Sequence, residues 1–233
     1  MGLETNARRA TAVCIDCSTG RERIPVGSLL STISLPTFAK MLHPAESPSP
    51  LRFRALTFVN ILLRRSDFSP NTWMYVATGR LRISRIQEPK RRSEAMAPSG
   101  HTSLMLEIPC DVGDDIWNAS NTSLRELVLR ELAELNFPVH DIIDSFVVRV
   151  KHGYPVYSLD YERHRQDLLS QLSRFKNVLT AGRQGLFRYI FMDAAMQMGI
   201  AAAEQMANGE HSIPTLDRMG RSSGVLESKA ITA

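Results

Sequence analysis

The alternation of hydrophobic and polar residues predicts several short strands at the start of the chain. Apolar residues at every second position are typical of a strand with one buried face, and a turn signal at Gly20 separates the first two such runs. Residues 1–10 are polar and are expected to be frayed. The predicted elements are strands over 12–15, 22–25 and 29–33 and a short helix over 37–42.

The middle of the chain carries longer strand patterns and one clear amphipathic helix. Residues 43–50 contain three prolines and two serines and are predicted to be a linker. A helix is predicted over 121–136, where apolar residues recur at helical spacing and Ser123 with Glu126 fits a capping box. The polar residues 88–101 are predicted to be a long loop. The predicted strands of this part are 51–63, 73–76, 81–86, 103–108 and 141–150.

Helical patterns return toward the end of the chain, over 160–175 and 191–206, with a short strand over 177–181 between them. Residues 209–233 are expected to be a loose tail. The central strands follow one another closely, which favours antiparallel pairing, and the short strands near the two ends could share a second sheet. The sequence therefore predicts a mixed α+β fold.

Composition and charge narrow the class of protein. Hydrophobic residues make up 43% and charged residues 22% of the 233, which is typical of a folded globular protein. Three cysteines cannot form a closed disulfide framework and no secretory signal is recognisable, so we expect a cytoplasmic protein. No stretch approaches the roughly 18 consecutive apolar residues of a membrane span, so none is expected.

The net charge of +4 comes mainly from arginines in the middle of the chain. One interpretation is a solvated basic face, and the other is a nearby anionic cofactor or substrate. Nucleic acid is not expected as a partner, because no aromatic residues interleave with these charges in the sequence as stacking platforms.

Three further motifs favour structural over chemical roles. Cys14 and Cys17 form a C-x-x-C motif, but residues three apart on a strand point to opposite faces, so their sulfurs should diverge. The aspartates at 111, 114 and 115 lie in a loop, where carboxylates usually cap helices or are solvated. His152 could lie near a site. No histidine spacing fits a metal site, so no metal is predicted.

The segment 180–199 carries the strongest candidate chemistry. A predicted strand ends at Gly182, where the chain can turn and approach a ligand closely, and Arg183 follows as a donor suited to phosphate. Gly185 offers a second close approach. Met192 and Asp193 begin a helix, whose N-terminus favours negative charge. Tight helix packing in a core and an anionic or redox cofactor are both compatible with this pattern.

The same segment resembles a known family. Residues 182–205 (GRQGLFRYIFMDAAMQMGIAAAEQ), preceded by 152–169 (HGYPVYSLDYERHRQDLL), resemble the C-terminal portion of FAD-dependent oxidoreductases of the flavin amine oxidase and protoporphyrinogen oxidase superfamily. UDP-galactopyranose mutases are related to this superfamily and have a comparable G-R…Y…M-D ending. The resemblance extends over about residues 11–208.

The resemblance implies an FAD-binding domain interrupted by an antiparallel-sheet substrate domain. By resemblance, Gly182, Arg183 and Gly185 would bind FAD, with Tyr189, Met192 and Asp193 beside it. Tyr154 and Tyr157 would line the substrate cavity, and no catalytic residue is identified. The implied segments are 1–42 and 156–208 for the FAD-binding domain, 51–155 for the substrate domain and 209–233 for the tail.

The sequence departs from the family in one respect. Family members begin with a βαβ unit that carries G-x-G-x-x-G, and this fingerprint is absent here. The chain is therefore interpreted as an N-terminally incomplete flavoenzyme that oxidises a small molecule by hydride transfer, with a second chain as a possible source of the dinucleotide-binding unit. The alternatives are a non-catalytic interaction protein or remnant and a flavin-dependent nucleotide-sugar mutase.

Overall fold

The computed structural model of this chain describes residues 2–42, 49–137 and 139–222. The predicted linker over 43–50 lies mostly outside the described residues. The chain divides into two compact units, of which the first comprises Met1–Arg52 and Pro155–Ala233 and the second comprises Phe53–Tyr154.

The described residues form ten strands and seven α-helices. In chain order, the elements are β1 (Gly2–Asn6), β2 (Arg9–Cys17), β3 (Gly20–Pro25), β4 (Leu29–Ser31), α1 (Leu35–Leu42), β5 (Arg52–Leu63), β6 (Trp73–Tyr75), β7 (Arg85–Gln87), β8 (Thr102–Cys110), α2 (Asp115–Asn118), α3 (Asn121–Glu134), β9 (Ile142–Val156), α4 (Tyr161–Leu172), β10 (Val178–Thr180), α5 (Gly182–Gly185), α6 (Met192–Ala207) and α7 (Ile213–Ser222).

The first unit contains two small sheets. Strands β1, β2 and β3 form an antiparallel meander, and β4 pairs in parallel with β10. The buried side chain of Asn177 connects the two sheets. Its Oδ1 accepts from the Ala10 N–H at 2.9 Å, and its Nδ2 donates to the carbonyls of Ala10 and Gly27 at 2.8 Å. The pairing of β4 with β10 confirms the prediction that short strands from both ends of the chain share a sheet.

Both predicted loose ends contain regular structure. Residues 1–10 were expected to be frayed, but β1 pairs along β2, with Gly2 opposite Cys14. The expected tail contains α7, which buries Ile213 and Leu216. For residues 2–10 and 213–222 both predictions were wrong for the same reason, since these segments owe their order to pairing and packing with distant parts of the chain rather than to local propensity. The rest of the predicted tail, 223–233, lies outside the described residues.

The second unit is built on a five-stranded sheet in the order β6-β7-β8-β5-β9. The pairs β6/β7, β7/β8 and β5/β8 are antiparallel. One face of the sheet packs against α3 to form the core of this unit. The core residues are Ala55, Val59, Ile61, Leu63, Ile83, Ile86, Leu104, Leu106, Ile108, Cys110, Ile116, Leu124, Val128 and Leu132.

A buried carboxylate shapes the chain before β7. Both oxygens of Glu131, on α3, accept backbone N–H groups, those of Arg82 and Ile83, at 2.8 Å. Because these amides are engaged by a side chain, they are not available to a strand ladder. The strand predicted over 81–86 is accordingly reduced to β7, Arg85–Gln87.

The N-cap of α3 differs from the predicted N-cap, and a second side chain caps α2. Ser120 is the N-cap of α3, and its Oγ accepts the Ser123 N–H at 3.1 Å, so the predicted capping box at Ser123 was wrong by three residues. Asp114 caps α2 by accepting the Trp117 N–H at 2.8 Å, as expected for a loop carboxylate. Burial opposes the effect, but hydrogen bonds from backbone amides lower the pKa of Asp114.

The predicted mixed fold with antiparallel strands is confirmed. Cys14 is buried and Cys17 is exposed, so their side chains diverge as predicted. Within residues 2–42, 49–137 and 139–222, no three histidine, cysteine or carboxylate side chains are grouped so as to hold a metal ion. None of the helices in those ranges combines the length and the apolar character that crossing a membrane requires.

Candidate functional site

A groove of about 410 Å³ lies at the carboxyl ends of the two parallel strands of the first unit. Leu30 lies on β4 and Thr32 follows it, while Ala181 and Gly182 follow β10. Ligand sites of α/β proteins characteristically form beyond the carboxyl ends of parallel strands. The groove is lined by Leu30, Thr32, Ala181, Gly182, Arg183, Gln184, Ile190, Phe191, Met192, Ala195 and Gly199.

The floor of this groove depends on a tight turn after β10. Gly182 has a φ of +80°, a conformation that favours glycine, and it begins the single turn of α5. Gly185 is buried against the sheet, where a Cβ would lie 2.7 Å from Thr180 Oγ1 and 3.2 Å from the Ser31 carbonyl oxygen. Gly185 therefore allows α5 to pack onto the parallel strands, and Gly185 itself does not face the groove.

Arg183 holds one wall of the groove. Its Nε and Nη2 donate to the Ile190 carbonyl at 3.1 and 2.7 Å, and its guanidinium lies 4.4 Å from the centre of the Tyr189 ring. Tyr189 in turn contacts the Phe191 ring edge to face at 5.8 Å. The Arg183 guanidinium therefore binds a backbone carbonyl, and these hydrogen bonds hold the segment that leads into α6 in place.

The N-terminus of α6 opens onto the same groove. Phe191 is the N-cap of this 16-residue helix and offers no side-chain acceptor for its first amides. Met192 lines the groove and is 75% exposed, while Asp193 lies exposed in the first turn. The helix dipole and uncapped N–H groups favour a ligand with an electron-rich or negatively charged edge here.

The outer face of α6 carries a row of exposed apolar residues. Met192, Met196 and Ile200 follow one another at intervals of four and are 75%, 64% and 61% exposed. Gly199 lies beside them, and a Cβ built on it would meet nothing within 4 Å. Buried Ala194, Met198 and Ala202 define the opposite face. The helix therefore presents an apolar surface that no described residue covers at Gly199.

An ion-pair cluster lies at the rear of the loop between α5 and α6. Fully buried Arg165, on α4, binds Asp217, on α7, through 2.7 and 3.1 Å hydrogen bonds and donates to the Leu186 carbonyl at 3.2 Å. Glu162 accepts from Arg165 at 2.8 and 2.9 Å, and Arg188 donates to Asp217 at 2.9 Å. This cluster connects α4, α7 and the loop that forms the groove wall.

The charges in this cluster shift the titration of both carboxylates. The hydrogen bond from Arg165 lowers the pKa of Glu162 to about 2, against the opposing effect of partial burial. Burial by itself would raise the pKa of Asp217, but hydrogen bonds from Arg165 and Arg188 outweigh it and lower that pKa. Both side chains are therefore carboxylates at neutral pH.

Phe187 occupies a backbone conformation that is unusual for a bulky residue. Its φ is +50° and its side chain is fully buried. Its ring contacts those of Tyr157 and Tyr161 at 6.2 and 6.4 Å, and Tyr157 stacks on Tyr161 at 4.3 Å. Packing around the ring therefore maintains a strained turn next to the groove wall, which is a common feature of ligand sites.

The two tyrosines predicted for a substrate cavity lie in different units. Tyr157 belongs to the first unit, where its hydroxyl accepts the Tyr189 N–H at 2.7 Å, and burial raises its pKa. Tyr154 belongs to the second unit, where its hydroxyl donates to Glu107 Oε1 at 3.1 Å. Of the predicted cofactor residues, Gly182, Arg183 and Met192 line the groove, and cofactor binding by any of them stays a prediction.

Sequence reasoning missed the contributions of β4 and α7. Leu30 and Thr32 line the groove because β4 pairs with β10, about 150 residues later in the sequence. The only local indication of this strand in the sequence was the short apolar run before Pro36. Asp217 was missed because its segment was interpreted as a tail.

The fold is similar to part of several solved structures. A reduced UDP-galactopyranose mutase matches with a TM-score of 0.70 and 20% identity, over 92% of this chain and 47% of that chain. A candidate protoporphyrinogen oxidase from Exiguobacterium sp. 255-15 matches with a TM-score of 0.61 and 17% identity, over 88% and 46%. Putrescine oxidase bound to putrescine, from a redesign of cofactor binding, matches with a TM-score of 0.54 and 11% identity, over 88% and 47%.

This chain has the fold of part of these proteins. It spans about half of their length, and at these identities the similarity shows the fold alone. No family model matches the sequence. No curated protein matches it either.

Proposed function

We propose that this chain is the C-terminal portion of an FAD-dependent, amine oxidase-like oxidoreductase that takes a hydride from a small-molecule substrate. The observation that carries the proposal is the groove at the carboxyl ends of β4 and β10, into which the uncapped N-terminus of α6 opens. The residues predicted from the family resemblance, Gly182, Arg183 and Met192, meet in this groove. The fold shared with two oxidases and a mutase supports the same conclusion.

The groove is compatible with the ring system of a flavin. Ile190, Phe191 and Met192 provide an apolar surface for a flat ring, and the first amides of α6 provide donors for its electron-rich edge. When bound, FAD would supply the hydride acceptor. Arg183 would act by holding the Ile190 carbonyl and the Tyr189 ring in place, since its fork is already engaged there.

We further propose that the dinucleotide-binding unit is supplied by sequence beyond these 233 residues, in a second chain or a longer one. The G-x-G-x-x-G fingerprint does not occur in them, and the matched structures are about twice as long. The apolar row Met192, Met196 and Ile200 on α6 is the surface that we propose for its packing. Because this row continues from the groove, a unit docked there would lie next to the flavin ring.

The direct test is flavin binding with a matched pair of α6 variants. We would titrate the purified chain with FAD and with lumiflavin, which has the ring but no nucleotide, and follow the visible spectrum and flavin fluorescence. Ala195→Phe should fill the groove, whereas Ala203→Phe adds the same side chain at an exposed position of the same helix that does not line the groove.

We expect lumiflavin to bind with a perturbed spectrum, Ala195→Phe to weaken binding at least about tenfold, and Ala203→Phe to leave it unchanged. Failure of folded wild-type protein to bind lumiflavin would overturn the flavoenzyme proposal and favour a non-catalytic interaction protein. Equal effects of the two variants would mean that the flavin binds elsewhere.

A further inference from the structure

The sheet of the second unit has a face that does not pack against α3. Ile86 and Leu106 point to the core, so their neighbours Arg85 and Glu107 lie on the other face. The strand register places Tyr75 opposite Arg85, and Arg85 opposite Glu107. Since directly paired residues share a face of a sheet, these three side chains form one row across β6, β7 and β8. We call the sheet face that carries this row the open face.

A second row runs beside the first. Trp73 is paired with Gln87, and Gln87 with Met105. Trp73 and Tyr75 are 42% and 61% exposed, so two large aromatic rings are presented on edge strand β6. Exposed aromatic rings provide flat platforms against which another ring can stack.

The guanidinium of an arginine lies near each of these two rings. The guanidinium of Arg85 lies 5.9 Å from the centre of the Tyr75 ring, and that of Arg92 lies 5.3 Å from the centre of the Trp73 ring. The interleaving of cations and aromatic rings that is absent from the linear sequence is therefore created by pairing of separate strands. Stacking against a ring leaves the edges of a guanidinium available to donate hydrogen bonds.

The charges of the open face do not cancel. Glu107 is buried, and its carboxylate accepts from Arg85 Nη2 at 2.5 Å and from the Tyr154 hydroxyl at 3.1 Å, which balances one arginine. Arg92 donates only a long 3.4 Å bond to Gln87 and makes no ion pair with a carboxylate in the part of the chain that the structure describes. Arg85 Nε is buried without a hydrogen-bond partner among those residues.

We propose that the open face binds a small molecule that combines a flat ring with an anionic group. The ring would stack on Tyr75 or Trp73, and the anion would accept hydrogen bonds from Arg92. The uncompensated positive charge of Arg92 disfavours an amine, because a cationic ligand would be repelled. As a statement about the substrate of the oxidoreductase, the inference rests on the proposed function, whereas binding to the face itself does not.

The test uses flavin-free protein and simple probes. Uridine 5′-monophosphate and benzoate each combine a ring with an anion, and they distinguish a nucleotide from an aromatic carboxylate. Uridine, inorganic phosphate and putrescine represent the ring, the anion and an amine alone. Binding is followed by isothermal titration calorimetry and by quenching of tryptophan fluorescence, to which exposed Trp73 contributes together with Trp117.

Two arginine variants provide the comparison. Arg92→Gln removes the uncompensated charge of the open face, and Arg125→Gln removes an exposed arginine from α3, on the opposite side of the sheet. We expect uridine 5′-monophosphate or benzoate to bind at least about tenfold more tightly than uridine, inorganic phosphate or putrescine. Arg92→Gln should weaken that binding about tenfold or more, since a charge-assisted hydrogen bond is lost, and Arg125→Gln should not change it.

The outcomes separate this inference from the proposed function. The inference is overturned if neither ring-bearing anion saturates at millimolar concentration, if putrescine binds more tightly, or if the two variants behave alike. If the wild-type protein binds a ring-bearing anion but does not bind lumiflavin, the flavoenzyme proposal is overturned and the present inference stands. Preference for uridine 5′-monophosphate over benzoate would favour the nucleotide-sugar mutase among the candidate activities.

Discussion

Arg165 is the fully buried centre of the ion-pair cluster, and its replacement by methionine should strongly lower the free energy of unfolding. Methionine fills a similar volume but removes the donors that serve Glu162, Asp217 and the Leu186 carbonyl. Removing one partner of a buried ion pair costs about 3–5 kcal/mol. We expect about 3 kcal/mol, the lower end, because Arg188 still donates to Asp217.

The measurement is urea unfolding followed by circular dichroism, together with thermal unfolding. For a chain of this size, each kcal/mol corresponds to roughly 2–4 °C, so the melting temperature should fall by roughly 6–12 °C. The matched control is Arg163→Met on the same helix, since Arg163 is 70% exposed and lies 3.8 Å from Asp160. Its effect should stay within about 0.5 kcal/mol. Similar stabilities for the two variants would refute the structural role assigned to Arg165.

The cluster also predicts how stability depends on pH. Folding lowers the pKa of Glu162 from 4.5 to about 2 and lowers that of Asp217, so the folded state binds fewer protons than the unfolded state. This contribution is fully present above about pH 5 and is lost as the pH falls from there toward 2. Wild-type protein should lose stability over this range, and Arg165→Met should show a shallower loss. Parallel pH profiles for the two proteins would contradict the assignment.

Two further substitutions have matched controls. Glu131→Gln should destabilise the second unit by about 1–3 kcal/mol in urea unfolding, because the carboxylate holds two backbone amides, while Glu134→Gln at the exposed end of α3 should have little effect. Gly185→Ala should lower the melting temperature, because its Cβ would lie 2.7 Å from Thr180 Oγ1, whereas Gly199→Ala should raise stability by about 0.5–1 kcal/mol through helix propensity. A stable Gly185→Ala protein, or equal effects of the two glutamate variants, would contradict these expectations.

Local patterns were sufficient where an element depends on its own residues. Helix α3, strands β5 and β8, and the diverging side chains of Cys14 and Cys17 follow from periodicity that is visible in the sequence. The candidate site was found in part, because Gly182 and Arg183 are close in sequence to Met192 and the three line one groove. Glycine after a strand and a helix start a few residues later are local signals.

Long-range contacts decided the rest. Strand β1, helix α7 and the groove contributions of Leu30 and Thr32 depend on pairing or packing with residues far away in the sequence, which no local window contains. The cap of α3 was misplaced because Ser123 is followed by Glu126, as a capping box requires, whereas Ser120 is followed three residues later by another serine. Only the backbone geometry shows that Ser120 is the N-cap.

The sequence by itself determined the mixed fold class, the antiparallel character of the middle strands and the segment around Gly182. The tertiary structure decided that the Arg183 fork binds the Ile190 carbonyl, and that Arg85 and Arg92 lie against Tyr75 and Trp73. The reason is physical, because residue type and spacing set the local backbone preference. A side chain's partner, in contrast, is set by which distant strand or loop packs beside it.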